Sequence, residues 1–215
     1  MDTISLVTGA NRGIGREVCR QLAALGHTVI ATARSETAPL RLDVTDPVSV
    51  AAAARWVGDR YGRLDVLVNN AAITYDTWQR AVTADLAVVR EAAETNVYGP
   101  WLVVQEFLPL LRRSEHGRIV NVSSEAASLE HMTGGTPAYT VSKVALNALT
   151  RMLAAELGGD KILVNAVCPG WVATDMGGPG GGPVADGAAS VVWAVTLPDD
   201  GPTGGFFRHG QQLAW

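Results

Sequence analysis

The chain has 215 residues, enough for one large domain over residues 1–215, and its 47% apolar and 18% charged residues are typical of a globular protein. Its formal net charge of −4 gives no electrostatic reason to expect nucleic acid or an anionic membrane as partner, and no apolar run is long enough to span a bilayer. The first residues lack the basic region of a signal peptide and run directly into a strand pattern, so we expect a cytoplasmic protein.

Two cysteines and four histidines bear on metal and redox chemistry. Cys19 and Cys168 lie far apart, without the spacing of a metal site or a redox pair. The histidines show no metal-ligand spacing. We therefore expect two buried free thiols in a reducing compartment, and no metal.

The first 33 residues carry a βαβ pattern. An apolar strand over 4–8 leads into a glycine-rich turn over 9–15, a helix over about 14–25 that stops at Gly26, and a strand over 28–33. A βαβ unit with such a turn can bind a dinucleotide, because the glycines let the pyrophosphate approach the N-terminus of the helix. The glycine spacing here is G-x-x-x-G-x-G, and such a turn on its own can also be a simple strand-to-helix connection.

The next connection is unusually short. Residues 34–43 leave no room for a crossover helix, which needs a dozen or more residues. We expect an extended loop there, and one edge of the sheet without its covering helix. A strand over 40–44, a helix from Asp46-Pro47 to about Tyr61 before Gly62, and a buried strand over 64–68 follow.

The rest of the chain continues to alternate strands and helices. A variable segment over 73–81 precedes helices over about 84–94 and 94–113, the second expected to be the longest and to be bent or shortened by Pro100 and Pro109. Further strands are predicted over 118–122, 162–167 and about 206–207, and further helices over 136–157 and 186–196. A Gly- and Pro-rich stretch over 175–187 predicts a mobile loop. The alternation predicts an α/β fold with a doubly wound, mostly parallel sheet.

The helix over 136–157 carries Tyr139 and Lys143 near its start. Four residues apart, the two side chains share one helix face. An ammonium beside a phenol favours the phenolate, so the pKa of Tyr139 is expected to fall from ~10 toward the range of an acid–base catalyst. An ordinary amphipathic helix can carry the same pair, so the pair alone does not indicate catalysis and the other motifs must be considered with it.

These motifs, taken together, resemble the short-chain dehydrogenase/reductase family over nearly the whole chain. The resemblance rests on Thr8-Gly9-x-x-x-Gly13-x-Gly15, Leu42-Asp43-Val44, Asn69-Asn70-Ala71, Asn96, Ser124, Tyr139-x-x-x-Lys143 and Pro169-Gly170. Residues 168–176 and Trp215 are most similar to the carbonyl reductases, which reduce aldehydes and ketones with NADPH. The resemblance implies a single-domain Rossmann-type fold, here without the helix between strands 2 and 3.

The resemblance also implies a catalytic set of four residues. Tyr139 would be the general acid that protonates the carbonyl oxygen as hydride reaches the carbon, and Lys143 would lower its pKa and hydrogen-bond the nicotinamide ribose. Ser124 would hydrogen-bond the substrate oxygen, and Asn96 would hold a water that relays protons toward Lys143. Ser123 is one position away from Ser124, and the family pattern favours the second serine.

Cofactor choice depends on the end of the second strand. Ala33 stands where an acid would bind the ribose hydroxyls of NAD, and Arg34 follows it. With Arg12 in the glycine turn, two guanidinium groups suit the phosphate of NADPH, and Glu36 is the competing residue. The cofactor contacts implied are Gly9, Asn11, Arg12, Gly13, Ile14, Gly15, Arg34, Asp43, Val44, Asn70, Ala71, Tyr139, Lys143, Pro169, Gly170, Val172 and Thr174. Trp171 would line a substrate pocket, with residues 175–187 as its lid.

The resulting hypothesis is an NADPH-dependent carbonyl reductase acting on a small carbonyl substrate. Two alternatives stay open: an NAD(P)-dependent alcohol dehydrogenase working in the oxidative direction, and a catalytically silent NADP-binding regulator. Relatives often pair through the two long helices, here those after Asn96 and Tyr139, so a homodimer or homotetramer is a further hypothesis. Nothing in the glycine-rich loop identifies the substrate.

Overall fold

The computed structural model describes residues 2–36, 38–73 and 76–215. Its described strands form one eight-stranded sheet in the order β3-β2-β1-β4-β5-β6-β7-β8. The strands are β1 Ile4–Val7, β2 Thr28–Ala33, β3 Leu40–Arg41, β4 Val66–Asn69, β5 Arg118–Val122, β6 Leu163–Val167, β7 Phe206–Arg208 and β8 Gln211–Gln212. All neighbouring strands are parallel except β7 and β8. The predicted doubly wound, mostly parallel sheet is confirmed.

The α-helices lie on both faces of this sheet. They are α1 Gly13–Ala24, α2 Pro47–Tyr61, α3 Leu86–Ala93, α4 Gly99–Leu111, α5 Pro137–Leu157 and α6 Val184–Val195. Helix α2 begins after Asp46 and ends before Gly62, as the sequence predicts. The structure adds that the Asp46 side chain caps the helix and that Gly62 has a left-handed φ of 74°.

Two apolar layers hold the helices to the sheet. On one face, Leu67 and Ile119 of the central strands belong to a buried cluster with residues of α2, α4 and α5. On the other face, Val68 and Val120 pack with residues of α1 and α6. The central strands β4 and β5 are buried along their whole length, as expected for strands covered by helices on both faces.

The described residues between β2 and β3 form no helix, as predicted. The described residues of the connection form only turns and bends, and Thr37 lies outside the described residues. Strand β3 is shorter than the predicted strand over 40–44, because only Leu40 and Arg41 pair with β2. Leu42 and Val44 are nevertheless buried.

The helices after β4 differ from the prediction. Residues 86–111 form one continuous helical stretch, in which a π-helical turn over Glu94–Tyr98 joins α3 to α4. The expectation that the helix over 94–113 is the longest is wrong, since α4 has 13 residues and α5 has 21. Pro100 occupies the first turn of α4, and Pro109 lies inside its last turn. The variable segment over 73–81 includes Thr74 and Tyr75, which lie outside the described residues.

The C-terminal edge holds a strand that the sequence pattern did not predict. Strand β8 pairs antiparallel with β7, and the Trp215 ring stacks on Phe206 with 5.6 Å between ring centroids. No helix built from the described residues has the length and apolar character needed to cross a membrane.

Candidate active site

A cleft of about 1340 Å³ lies along the carboxyl ends of β1, β2, β4, β5 and β6. It brings together all but one of the predicted site residues: Gly9, Asn11, Arg12, Gly13, Ile14, Gly15, Arg34, Asp43, Val44, Asn70, Ala71, Ser124, Tyr139, Lys143, Pro169, Gly170, Trp171, Val172 and Thr174. The exception is Asn96, which is buried behind the cleft wall. This position, outside the carboxyl ends of parallel strands, is where open α/β sheets bind their ligands.

The glycines of the turn after β1 are required by close backbone contacts. Gly9 has a φ of 63°, and a Cβ there would stand 2.9 Å from the Cα of Ala71. A Cβ on Gly15 would stand 2.5 Å from the Gly9 carbonyl oxygen. The turn is therefore packed against the end of β4, and its glycines keep the N-terminus of α1 open to the cleft, the arrangement that admits a pyrophosphate.

Thr8 and Asn70 fasten this turn to β4. The Thr8 hydroxyl accepts hydrogen bonds from the backbone N–H groups of Asn70 and Ala71, both at 3.0 Å. In return, the Asn70 amide donates to the carbonyl oxygens of Thr8 at 2.8 Å and Gly9 at 3.2 Å. The side chain of Asn70 thus holds the shape of the predicted cofactor site.

Arg12 in the glycine turn and Arg34 at the edge next to the end of β2 both line the cleft. Arg12 forms an exposed salt bridge with Asp175, with 2.6 Å between Nη1 and Oδ2. Arg34 lines the cleft near Asp43. Burial raises the pKa of Asp43, but hydrogen bonds from Thr45 and the nearby arginines outweigh it and hold that pKa below its usual value. The carboxylate is therefore ionised at neutral pH and attracts Arg34 to this edge.

Tyr139 and Lys143 lie on the first two turns of α5. The Lys143 Nζ is 5.7 Å from the centroid of the Tyr139 ring and donates a 2.8 Å hydrogen bond to the carbonyl oxygen of Val122. Burial of the ammonium lowers the pKa of Lys143 from 10.5 to about 8. A buried cation beside a phenol is the arrangement that favours a phenolate.

The two serines after β5 have different environments. The Ser123 hydroxyl is buried and donates to Oδ1 of Asn147 at 2.6 Å. Ser124 is half-buried, and its oxygen accepts a 3.3 Å bond from the N–H of Ala126, which leaves its O–H available as a donor. Of the two, Ser124 offers a donor to the cleft.

Asn96 belongs to the π-helical turn. Its Oδ1 accepts from the N–H of Ile73 at 2.9 Å, and its Nδ2 donates to the Ile73 carbonyl and the Ser142 hydroxyl, both at 3.0 Å. Both amide hydrogens are therefore used, and one lone pair of Oδ1 remains. The predicted water-holding role of Asn96 stays a prediction, whereas its contacts tie the wall of the cleft to α5.

The loop after β6 forms several hydrogen bonds within itself, and its predicted mobility stays a prediction. Trp171 is 69% exposed, but its Nε1 donates to the Gly177 carbonyl at 2.8 Å, and Val172 pairs with Gly182. The predicted loop over 175–187 ends at Pro183, because residues from Val184 onward belong to α6. Trp171 thus presents its exposed ring at the mouth of the cleft, with one hydrogen bond to the loop.

The cysteines are both free thiols. Cys168 is buried at the floor of the cleft, and its Sγ accepts from the N–H groups of Glu125 at 3.2 Å and Gly170 at 3.3 Å. Burial raises the pKa of both thiols, that of Cys19 to about 12. Cys19 is only partly buried, so the expectation of full burial is wrong for it.

Asp76 supports the site but was not predicted from the sequence. Asp76 is fully buried, and its carboxylate accepts hydrogen bonds from the backbone N–H groups of Ala138 at 2.8 Å and Tyr139 at 3.2 Å. It lies in the segment after β4, which has no periodic pattern. No local signal in the sequence connects it with a helix 62 residues further on.

The fold and the cleft define a dinucleotide-binding α/β protein that carries a tyrosine and a buried lysine side by side in its cleft. The short chain dehydrogenase family matches residues 3–180. The chain belongs to this family of oxidoreductases.

Individual relatives resemble the chain along nearly its full length. The chain is 35% identical to carbonyl reductase (NADPH) 1 of Bos taurus, with 99% of the chain and 98% of the relative covered. It is 34% identical to (+)-neomenthol dehydrogenase of Arabidopsis thaliana, with 96% of each covered. The NADPH-bound carbonyl reductase from chicken fatty liver is 32% identical and superposes with a TM-score of 0.91 over 100% of both chains.

Proposed function

We propose that the protein reduces a ketone or an aldehyde to an alcohol with NADPH, and that Tyr139 is the general acid. The observation that carries this proposal is the buried Lys143 beside Tyr139, on the same cleft as the glycine turn. The names of the bovine and chicken carbonyl reductases, which include NADPH, support the cofactor and the reaction class.

The proposed step moves a hydride and a proton to the two ends of the carbonyl bond. NADPH, when bound, supplies the hydride to the carbonyl carbon. The phenol of Tyr139 gives its proton to the carbonyl oxygen, so that the C=O bond becomes an alcohol and Tyr139 becomes a phenolate. Lys143 stabilises that phenolate, and the O–H of Ser124 donates to the oxygen while charge develops on it. Proton donation by a positioned side chain contributes roughly two to four orders of magnitude in rate.

The cofactor preference is assigned to Arg34 and Arg12. Arg34 lines the adenine end of the cleft, directly after the buried Ala33. A phosphate on the adenosine ribose would meet this guanidinium, while no carboxylate occupies the Ala33 position to bind the ribose hydroxyls of NADH. Arg12 would join Arg34 after exchanging Asp175 for the phosphate.

A carbonyl panel tests the reaction class. Purified protein is incubated with NADPH and a range of aldehydes, ketones and diketones, and NADPH consumption is followed by absorbance. We expect turnover above the enzyme-free rate with at least one compound. No consumption with any of them, although NADPH binds, would favour the catalytically silent regulator.

Fluorescence titration tests the cofactor. NADPH is expected to bind more tightly than NADH, and Arg34→Ala to weaken NADPH binding by about tenfold, the effect of one charged hydrogen bond. The Kd of NADH should change little, and Arg60→Ala, an exposed change on α2, is the control. Tighter binding of NADH by the unaltered protein would contradict the assignment and favour an NAD-dependent alcohol dehydrogenase.

A further inference from the structure

The first turn of α5 is capped from outside its own sequence. A helix leaves its first backbone N–H groups without partners inside the helix. Thr136, which precedes α5, has a left-handed backbone with φ 40° and no side-chain capping bond, and Pro137 has no N–H. The next two donors, on Ala138 and Tyr139, are bonded by Oδ2 and Oδ1 of Asp76.

Asp76 also connects α5 to the helix beside it. The amide of Gln79 donates to Oδ2 of Asp76 at 3.3 Å, and its oxygen accepts from the N–H of Asp85 at 2.6 Å. The Asp85 carboxylate caps α3 through the N–H of Ala87 at 2.8 Å. Helix α3 packs against α5, so this chain of bonds fixes the starts of two adjoining helices relative to each other.

No salt bridge to Asp76 is present among the described residues. The positive end of the α5 dipole, the two backbone N–H groups and the Gln79 amide compensate a carboxyl that is fully buried. A buried carboxyl whose two oxygens both bond one helix start is a rigid attachment, because releasing either N–H would leave a buried polar group unsatisfied.

We propose that Asp76 is a positioning residue for Tyr139. Tyr139 is the third residue of α5, and its own N–H is one of the two that Asp76 holds. Lys143 is held separately, by its bond to Val122 in β5. If the first turn of α5 loosens, Tyr139 therefore moves relative to Lys143 and Ser124, and a misplacement of about 1 Å can cost about 10²-fold in rate.

The test compares three variants, and it rests on the proposed role of Tyr139. Asp76→Ala removes both acceptors, Asp76→Asn keeps one, and Asp46→Ala removes the matched cap of α2, where Asp46 accepts from the N–H of Val48 at 2.9 Å. At saturating NADPH and substrate, we expect kcat to fall by about 10- to 100-fold in Asp76→Ala and by less in Asp76→Asn. The Kd of NADPH should stay within about threefold, and Asp46→Ala should keep its kcat while losing stability.

Several results would overturn the proposal. One is an unchanged kcat in Asp76→Ala, and another is an equal loss of kcat in Asp46→Ala. If Asp76→Ala does not fold, the comparison is made with Asp76→Asn, whose kcat must be lower than that of Asp46→Ala. Tyr139→Phe distinguishes a failure of the proposed function from a failure of the role of Asp76. If Tyr139→Phe turns over normally, the proposed function is wrong. If it is inactive and both Asp76 variants keep full kcat, only the proposed role of Asp76 is wrong.

Discussion

Burial of the Lys143 ammonium lowers the stability of the fold, and the same ammonium is proposed to stabilise the Tyr139 phenolate. Its side chain is buried, and the only hydrogen bond of its Nζ to a described residue goes to the Val122 carbonyl. Burial lowers the pKa of Lys143 to about 8 because the charged form is poorly solvated. Below about pH 8 the folded protein therefore contains a buried ammonium, which lowers the free energy of unfolding. This charged form is also the one that can stabilise a phenolate.

We expect Lys143→Met to stabilise the cofactor-free protein at neutral pH while abolishing turnover. Each pKa unit corresponds to about 1.4 kcal/mol, so the free energy of unfolding should rise by up to about 3 kcal/mol. Because the pKa in the folded state lies below the unfolded value, the cost is complete below about pH 8. It is removed as the pH rises from about 8 to 10.5, where the unfolded lysine also loses its proton.

Urea denaturation at about pH 7 and about pH 10 measures this difference. The gain from Lys143→Met should be largest at the lower pH and shrink at the higher one. Lys161→Met, which changes an exposed lysine, should show no such dependence on pH. A gain of equal size at both pH values, or a loss at the lower one, would contradict the account.

Among the elements, the π-helical turn over Glu94–Tyr98 decides the position of Asn96. The turn adds a residue to the helical stretch between α3 and α4, and it directs the Asn96 amide onto the backbone of Ile73 and the Ser142 hydroxyl. The Asn96 side chain thus joins three parts of the fold: the wall of the cleft at Ile73, the continuous helical stretch of α3 and α4, and α5 at Ser142.

Asn96→Ala is expected to lower the free energy of unfolding by about 1–3 kcal/mol, because it removes a fully buried amide and leaves the half-buried N–H and carbonyl of Ile73 without this partner. Gln105→Ala, an exposed change on α4, should stay within about 0.5 kcal/mol. Chemical denaturation of the two variants is the measurement. If Asn96→Ala were no more destabilised than Gln105→Ala, its three bonds would carry no net stability.

Sequence patterns predict the elements whose determinants are local. The strand, glycine turn and helix at the start of the chain follow from neighbouring residues, as does the start of α2 at Asp46-Pro47. The absence of a helix before β3 follows from length alone. Strand β8 has only two residues, both exposed glutamines, and its pairing with β7 gives no pattern. A π-helical turn is equally invisible, because one extra residue barely changes the helical period.

In the candidate site, too, the residues with a local sequence signal are predicted and those defined by distant contacts are not. The glycines, Tyr139 and Lys143 are found through spacing, and they do meet at one cleft. Asp76 is defined only by its bonds to a helix 62 residues away, and the pairing of Arg12 with Asp175 likewise joins two distant turns. Such contacts depend on the completed fold, so no local pattern reveals them.

At the scale of the whole molecule, exposed apolar side chains lie on the two helices proposed to pair in an oligomer. Trp101 of α4 and Val141 and Met152 of α5 are 37%, 57% and 50% exposed. Because such residues favour burial against a partner, we expect a solution mass of two or four times 22.6 kDa. Met152→Arg should shift the mass toward the monomer, and Arg151→Ala, beside it, should not.

Light scattering at several protein concentrations decides this point. A monomeric mass at all of them would contradict the proposed pairing. It would leave the proposed chemistry untouched, because Ser124, Tyr139 and Lys143 line one cleft of the same chain.

The most direct test of the central claim removes a single oxygen. Tyr139→Phe keeps the ring and its place on the first turn of α5, but it has no proton to give. With a carbonyl compound that the unaltered protein reduces, kcat at saturating NADPH should fall by at least about 10²-fold, while the Kd of NADPH stays within about threefold. Turnover close to that of the unaltered protein, with NADPH binding intact, would show that Tyr139 is not the proton donor.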